Sequence, residues 1–214
     1  MNFDKEANNL LATFKNSDTE DSFQFFRGNG HVIISAPHSV EQVRDGKCKY
    51  GEYQSGVLAR LLHDSLNCPT IVKTKNCDDD ANYDGDCKYK SFVSSHILNH
   101  EIKYLLDLHL MAPSRAQMIA IGTGNGSNIL GRNDIAEFIK KAFEEKEWGI
   151  ITLDDPFDAT YDHTVSATIA RECAIPCFQI EINSKLVSPD YPEYQLEDVF
   201  HALSEIIKAL MERF

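Results

Sequence analysis

The sequence has no apolar run long enough to cross a bilayer, which takes roughly 20 residues. Its opening residues, Met1-Asn2-Phe3-Asp4-Lys5-Glu6, lack the charged-then-apolar order of a secretory leader. Paired cysteines are missing too: the six thiols are scattered, and the nearest two, Cys173 and Cys177, have three residues between them. A cysteine zinc site needs tighter, repeated spacings. These absences lead to the expectation of a cytoplasmic chain with reduced cysteines. Positive charge is scarce: 21 Lys and Arg stand against 33 Asp and Glu, a net charge of −12. A nucleic-acid groove needs a basic surface, and anionic lipid repels an acidic one, so neither partner is expected. No Gly-x-Ser-x-Gly elbow surrounds Ser35 or Ser39, which argues against a serine triad. The run Gly122-Thr123-Gly124-Asn125-Gly126 lacks both the Gly-x-Gly-x-x-Gly order and a Walker lysine. With no linker, repeat or low-complexity tract, the 214 residues are expected to form a single domain around one core.

Three apolar stretches that turn polar as they end stand out. In Lys103-Tyr104-Leu105-Leu106-Asp107-Leu108-His109-Leu110, the polar Asp107 and His109 are two apart and share one face of a pleated strand. Pro176-Cys177-Phe178-Gln179-Ile180-Glu181-Ile182-Asn183 repeats the design with Glu181 and Asn183, and His31-Val32-Ile33-Ile34-Ser35-Ala36-Pro37-His38 delivers His38. Ligands of open α/β sheets bind outside the carboxyl ends of the strands, so the three ends point to one site.

The rest of the chain alternates in period. Helical spacing is read over Asp4 to Lys15, Glu52 to Leu66, Ser91 to Asn99, Asp134 to Glu147, His163 to Cys173 and Leu196 to Arg213. Further strands are read over Thr70–Thr74, Gln117–Gly122 and Gly149–Leu153, and a weaker one over Ser22–Phe26. Asn16-Ser17-Asp18 punctuates the first helix. Gly28-Asn29-Gly30 reads as a hairpin turn joining the weak strand to the His31–Ala36 strand at a sheet edge. Pro37 to Tyr50 is polar and irregular, a candidate active-site loop. This alternation predicts an α/β fold with a mixed, mostly parallel sheet covered on both faces.

The chemistry-bearing residues suit a divalent metal. An imidazole binds metal through one nitrogen and usually gives its other N–H to a carboxylate or carbonyl, which lends weight to His109 beside Asp107. Burying Glu181 in an apolar strand costs several kcal/mol unless it is paired or meets a cation. A catalytic zinc takes three protein ligands, commonly two His and one carboxylate, and keeps a fourth position open. His38 and His109 supply two; the third is Glu52 or Glu181. Iron and manganese accept the same donors. Asp80-Ala81-Asn82-Tyr83-Asp84-Gly85 matches the first half of a calcium loop, but Ser91 occupies the twelfth position, where a Glu is needed.

In order along the chain, Ser35-Ala36-Pro37-His38-Ser39, Tyr50-Gly51-Glu52-Tyr53, Asp79-Asp80-Ala81-Asn82-Tyr83-Asp84, Leu106-Asp107-Leu108-His109 and Gln179-Ile180-Glu181-Ile182-Asn183 resemble the N-formylglutamate amidohydrolase family. That family is similar to the zinc-carboxypeptidase-like hydrolases, and the likeness runs over roughly residues 30 to 190. The resemblance implies a three-layer α/β/α, phosphorylase/hydrolase-like fold and one zinc ion per chain. His38, Glu52 and His109 would hold the ion, and Glu181 would be the catalytic carboxylate assisting attack of a metal-activated water. The implied substrate is a small acidic N-acyl amino acid, such as N-formylglutamate, or a short peptide. Charge developing on the scissile carbonyl oxygen needs a nearby donor, with Arg115 and Arg132 as candidates, and the substrate's carboxylates call for an arginine fork, with Arg171 as a third option; Asn82 and Asn183 are further substrate-binding candidates. Three rivals stand beside this reading. One is a zinc carboxypeptidase or γ-glutamyl-type peptide hydrolase with the same metal site. Another is a metal- or small-acid-binding module without turnover. The last is an interaction domain using the acidic surface, which leaves Glu181 unexplained. The oligomeric state has no signature in the sequence.

Overall fold

A computed structural model of the chain describes residues 3–16 and 19–214, so the break expected at Ser17 and Asp18 lies outside the described residues. Among the described residues seven helices run in chain order: α1 (Phe3–Lys15), α2 (Tyr53–Leu66), α3 (Lys88–Leu98), α4 (Asn133–Glu144), α5 (Val165–Cys173), α6 (Ser184–Val187) and α7 (Leu196–Glu212). Nine strands accompany them: β1 (Phe23–Phe26), β2 (Val32–Ala36), β3 (Gln42–Arg44), β4 (Lys47–Lys49), β5 (Thr70–Lys73), β6 (Tyr104–Met111), β7 (Gln117–Gly122), β8 (Ile150–Leu153) and β9 (Cys177–Asn183). The central sheet has the order β1-β5-β2-β6-β9-β7-β8. Strands β5, β2, β6 and β9 are mutually parallel, β1 opposes β5, and β7 opposes β9 while running with β8. The sheet is therefore mixed and mostly parallel, with helices on both faces. Among the described residues no helix is long and apolar enough to cross a membrane.

The two-residue period of the strands sorts their side chains. Val32, Ile34, Leu106, Leu108, Phe178, Ile180 and Ile182 pack into the larger core with α1, α2, α4 and α7. Ile33, Leu105 and Cys177 face the other way, onto α3 and α5. Each fully buried Leu or Ile contributes roughly 1.5–3 kcal/mol against leaving it in water, so the larger layer fixes where the strands end. Helix α2 buries Val57, Leu58, Leu61 and Leu62 at helical spacing. It stops at Asn67, whose φ of 54° is left-handed and whose N–H caps His63 O.

Two places hold the site's loops. The end of β2 is fixed by the Tyr89 hydroxyl of α3, which meets Ser35 Oγ at 2.9 Å, accepts Ala36 N at 3.1 Å and donates to Ile71 O at 3.0 Å. At Gly56, a Cβ would stand 2.6 Å from Ser39 Cβ and 2.7 Å from the Phe14 ring, so only glycine lets α2 close onto the loop that carries His38.

The expected hairpin between the first two strands does not form. Strand β1 is indeed at a sheet edge, but β5 lies between it and β2. A Cβ on Gly28 would lie 2.2 Å from Asn67 O, and Asn29 N donates to that same carbonyl at 2.8 Å. The glycine serves a close crossing over the entry to β5, not a two-residue turn. The polar stretch after Pro37 also holds more order than its composition suggests. It folds into the β3–β4 hairpin, turned by Asp45 and Gly46, both at positive φ. Helix α3 starts three residues before the predicted Ser91, and the single turn α6 was not anticipated.

Candidate metal centre

Strands β2, β6 and β9 deliver His38, His109 and Glu181 to one end of the sheet. Register places His109 directly beside Glu181, and Asp107 beside both Ser35 and Gln179. Glu52 reaches the same point from the other side of the loop, at the position just before α2. It makes no side-chain cap; instead its Oε2 accepts the Leu110 backbone N–H at 2.8 Å, and its own N–H donates to His38 O at 2.7 Å.

The donors converge. His38 Nδ1 lies 2.9 Å from Glu52 Oε1 and 3.2 Å from His109 Nδ1, and His109 Nδ1 lies 3.5 Å from Glu52 Oε2. Among the described residues, His38, Glu52 and His109 form the group able to hold a metal ion. A tetrahedral zinc with bonds of ~2.0–2.1 Å needs donors ~3.3 Å apart, close to these spacings. The outer nitrogens are committed to carboxylates: His38 Nε2 to Asp80 Oδ1 at 2.9 Å and His109 Nε2 to Asp107 Oδ2 at 3.2 Å. That arrangement fixes an Nε2–H tautomer on each ring and leaves both Nδ1 lone pairs aimed at one place. Without a cation or extra protons there, the lone pairs repel. The residues present therefore fit a divalent ion.

Charge tells the same story. Glu52, Asp80, Asp107 and Glu181 bring four carboxylates into a nearly dry region, against one guanidinium, that of Arg44. Without an ion, protons make up the deficit. Burial works against a charged His38, yet the charge of Glu52 and the hydrogen bonds that the ring donates to Asp80 and Glu52 outweigh it and raise its pKa to about 9. His109 is buried too, and the Asp107 carboxylate lifts it well above the ordinary histidine value. Burial would raise Glu52, but the two imidazoles hold it well below the usual carboxylate range. Glu181 goes the other way: burial, with Glu52 adding to it and His109 opposing, pushes it up to about 7.

These groups open onto a cavity of about 330 Å³ whose lining includes His38, Glu52, His109, Glu181, Asn82 and Arg44. Tyr83, Leu110, Phe157, Tyr161, Thr164 and Gln179 complete its walls. Tyr83 is sandwiched: the Arg44 guanidinium lies 4.7 Å from its ring centre, and the Tyr161 ring stacks at 5.5 Å with a 12° interplanar angle.

No family model matches the chain, and no curated protein matches it in sequence. Solved structures do match in fold. N-formylglutamate amidohydrolase from Ralstonia eutropha JMP134 superposes with a TM-score of 0.63 at 10% identity, over 89% of this chain and 97% of that one. The chain has the fold of N-formylglutamate amidohydrolase. A bacteriophage poly-gamma-glutamate hydrolase matches with a TM-score of 0.56 at 12% identity, over 94% and 95% of the two chains. The zinc-free apo form of YndL matches with a TM-score of 0.54 at 14% identity, over 93% and 94%. The resemblance read from the ordered motifs is thus met at the level of three-dimensional architecture.

This fold brings together five of the nine site candidates read from the sequence, His38, Glu52, His109, Glu181 and Asn82, while Arg171 is exposed and donates to Asp162 O at 3.1 Å. Asn82 Oδ1 accepts Val165 N at 2.7 Å, tying its loop to the start of α5. Arg115 is exposed, its guanidinium 5.4 Å from the centre of the Phe157 ring, and does not line the cavity. Two expectations need correction. Arg132 is bound by Asp134 at 2.9 and 2.8 Å and stands by the side chain of Tyr104, where β6 begins, at the opposite end of the strand from His109. Asn183 is fully buried; its Nδ2 donates to Arg115 O and Gln117 O at 3.2 and 2.9 Å, and its Oδ1 caps Lys185 N at 3.0 Å. Both amide protons are spent on backbone, so it is a strut between β9 and the β6–β7 connection.

Sequence reasoning missed Arg44 and, though it named Asp80 in a motif, missed the contact that Asp80 makes with His38. Arg44 binds Asp80 Oδ2 through Nε at 2.9 Å and a terminal nitrogen at 2.8 Å. Asp80 thus links the cavity arginine to His38. A signal for Arg44 was present in the Asp45-Gly46 pair that follows it, a hairpin turn inside the candidate active-site loop. Asp80 was hidden by its neighbours Asp78 and Asp79, which make the stretch read as solvated.

Proposed function

We propose that this protein is a zinc-dependent amidohydrolase that cleaves the linear amide of a small acidic N-acyl amino acid such as N-formylglutamate. The observation that carries the reading is the convergence of His38 Nδ1, His109 Nδ1 and the Glu52 carboxylate, with Glu181 on the same cavity. The shared fold with N-formylglutamate amidohydrolase supports it. When bound, the ion supplies a Lewis acid for the scissile carbonyl and lowers the pKa of water toward neutrality.

The chain's own residues divide the remaining work. Glu181, whose pKa is pushed up to about 7 first by burial, takes a proton from the attacking water at its carboxylate and passes it to the departing amine. Asp80 and Asp107 orient the two imidazoles. Arg44, the arginine among the cavity-lining residues, meets the substrate carboxylate with the N–H groups that Asp80 leaves free. Asn82, whose Nδ2 has no protein partner among the described residues, donates to a substrate oxygen. Phe157 and Tyr161 shield the reacting amide from bulk water.

A γ-glutamyl peptide hydrolase is the second reading. A cleft of about 490 Å³ adjoins the cavity and shares Phe157, Tyr161, Thr164 and Gln179 with it, which favours a substrate longer than one residue. The test combines elemental analysis with a panel of N-formyl and N-acetyl amino acids and γ-linked glutamyl peptides, assayed before and after chelation. One zinc per chain, chelator-sensitive turnover, and a Glu181→Gln variant that keeps the metal but loses kcat are expected. Wild-type turnover by Glu181→Gln would sink the mechanism. Preference for γ-linked peptides would transfer the reading to the second substrate class.

A further inference from the structure

Gln179 sits in the middle of β9, is 4% exposed, and lies among apolar neighbours on the chain. Nothing about folding calls for an amide there. Its Nε2 donates to Glu181 Oε1 at 2.9 Å, the one side-chain hydrogen bond it makes among the described residues. Its Oε1 is buried and has no partner. Its cross-strand neighbour Asp107 has a free acceptor as well, since Oδ1 is buried and unpartnered. A buried polar atom left unpaired is destabilising by about 1–3 kcal/mol. Gln179 gives the unpartnered Asp107 Oδ1 no hydrogen bond. The donor is spent on Glu181 instead.

We propose that Gln179 is a positioning residue for the reaction: it holds the Glu181 carboxylate, oriented and ready to accept a proton, at the stability cost of its own unpaired carbonyl. The assignment rests on the hydrolase reading for its catalytic meaning and on the β9 geometry for its structural meaning. A glutamate free to rotate in a cavity of this size would spend most of its time out of line with the attacking water, and effective proton transfer needs hydrogen-bond reach. The choice of residue follows. A second carboxylate would repel Glu181, a lysine would neutralise it as a base, and a hydrocarbon would leave it unheld. An amide donates without adding charge.

Gln179→Met tests this, since methionine fills similar volume without donor or acceptor. A melting temperature equal to or above wild type is expected, with unchanged zinc stoichiometry, kcat on the best N-acyl amino acid lowered tenfold or more, and KM within twofold. Stability and turnover moving in opposite directions is the signature that a merely structural role does not give. Gln179→Asn keeps an amide but withdraws it by one methylene, and the same kcat loss is expected; it serves if the Met variant fails to fold. Turnover within twofold of wild type in either folded variant overturns the proposal. Crystal structures of the zinc-loaded wild type and variant decide it without turnover. A Glu181 carboxylate displaced in the variant, with His38, Glu52 and His109 unmoved, supports the assignment, and an unmoved Glu181 overturns it. A wild type that cleaves no N-acyl amino acid or peptide defeats the hydrolase reading alone, and the crystallographic arm then decides the role of Gln179.

Discussion

The two faces of the β6–β9 pair are built from the same residues in alternation and do opposite things. On one face Leu106, Leu108, Phe178, Ile180 and Ile182 are fully buried against α1, α2, α4 and α7. On the other, Asp107, His109, Gln179 and Glu181 form a polar row in register, with two unpartnered acceptors among them. The first face gains stability from every side chain. The second gives some of it up, and the first makes that tolerable. Because a strand turns each residue to the opposite side from the last, one eight-residue segment carries both tasks without compromise, provided its register never slips.

Substitutions should separate the two faces cleanly. The largest effect is expected from His109→Ala, which removes a metal donor: zinc content falls below stoichiometric and turnover drops to background, while the protein remains folded by circular dichroism. Full metal content in that variant would break the comparison. On the packing face, Leu108→Ala, one residue away, is expected to lose about 2–5 kcal/mol of stability by cavity formation. Denaturant titration should show that loss, and elemental analysis should show no loss of zinc at low temperature. Asp107→Asn is expected to be milder, weakening metal affinity about 10–100-fold through the His109 ring it orients, as read by competition with a chromogenic chelator.

The smallest effect is a pH dependence. The metal-free His38 pKa is raised to about 9 from 6.5 by Glu52 and Asp80, against the pull of burial. A histidine raised in the folded state stabilises fully below its unfolded value and loses that contribution as pH climbs through the folded value. The apo protein should therefore melt progressively earlier between about pH 6.5 and 9, by a few degrees. Zinc-loaded protein, whose imidazoles are already deprotonated by the metal, should lack that decline. A flat apo profile would show that protons do not compensate the carboxylates.

What could be read from the chain alone follows the same division. The strands of the central sheet, the main helices and the polar pairs at 107/109 and 181/183 were legible because period two and period 3.6 are local signals. The order of the motifs pointed to the fold. What escaped reading depends on chain crossings. The insertion of β5 between β1 and β2 turns Gly28 from a presumed turn residue into a crossing residue. Asn183 shares a strand face with Glu181, yet the β6–β7 connection reaches it first and consumes its amide. Arg44 ends the three-residue strand β3 and Asp80 lies in a loop; neither stretch is long enough to show a period, and the two meet only in three dimensions. Arginine fork and orienting carboxylate are recognisable chemistries, but nothing in their spacing announces the partnership.

Glu52 Oε2 takes its hydrogen from the peptide group of Leu110, not from a side chain. Drift along β6 is therefore felt unevenly. Any residue except proline offers the same amide at position 110, so its side chain is free to follow the shape of whatever molecule a descendant comes to accept. Position 52 has no such latitude: a shorter acid falls short of the strand, and a neutral one would forfeit a donor that the proposed metal needs. Lineages of this protein should diversify their diet at 110 while keeping 52 fixed.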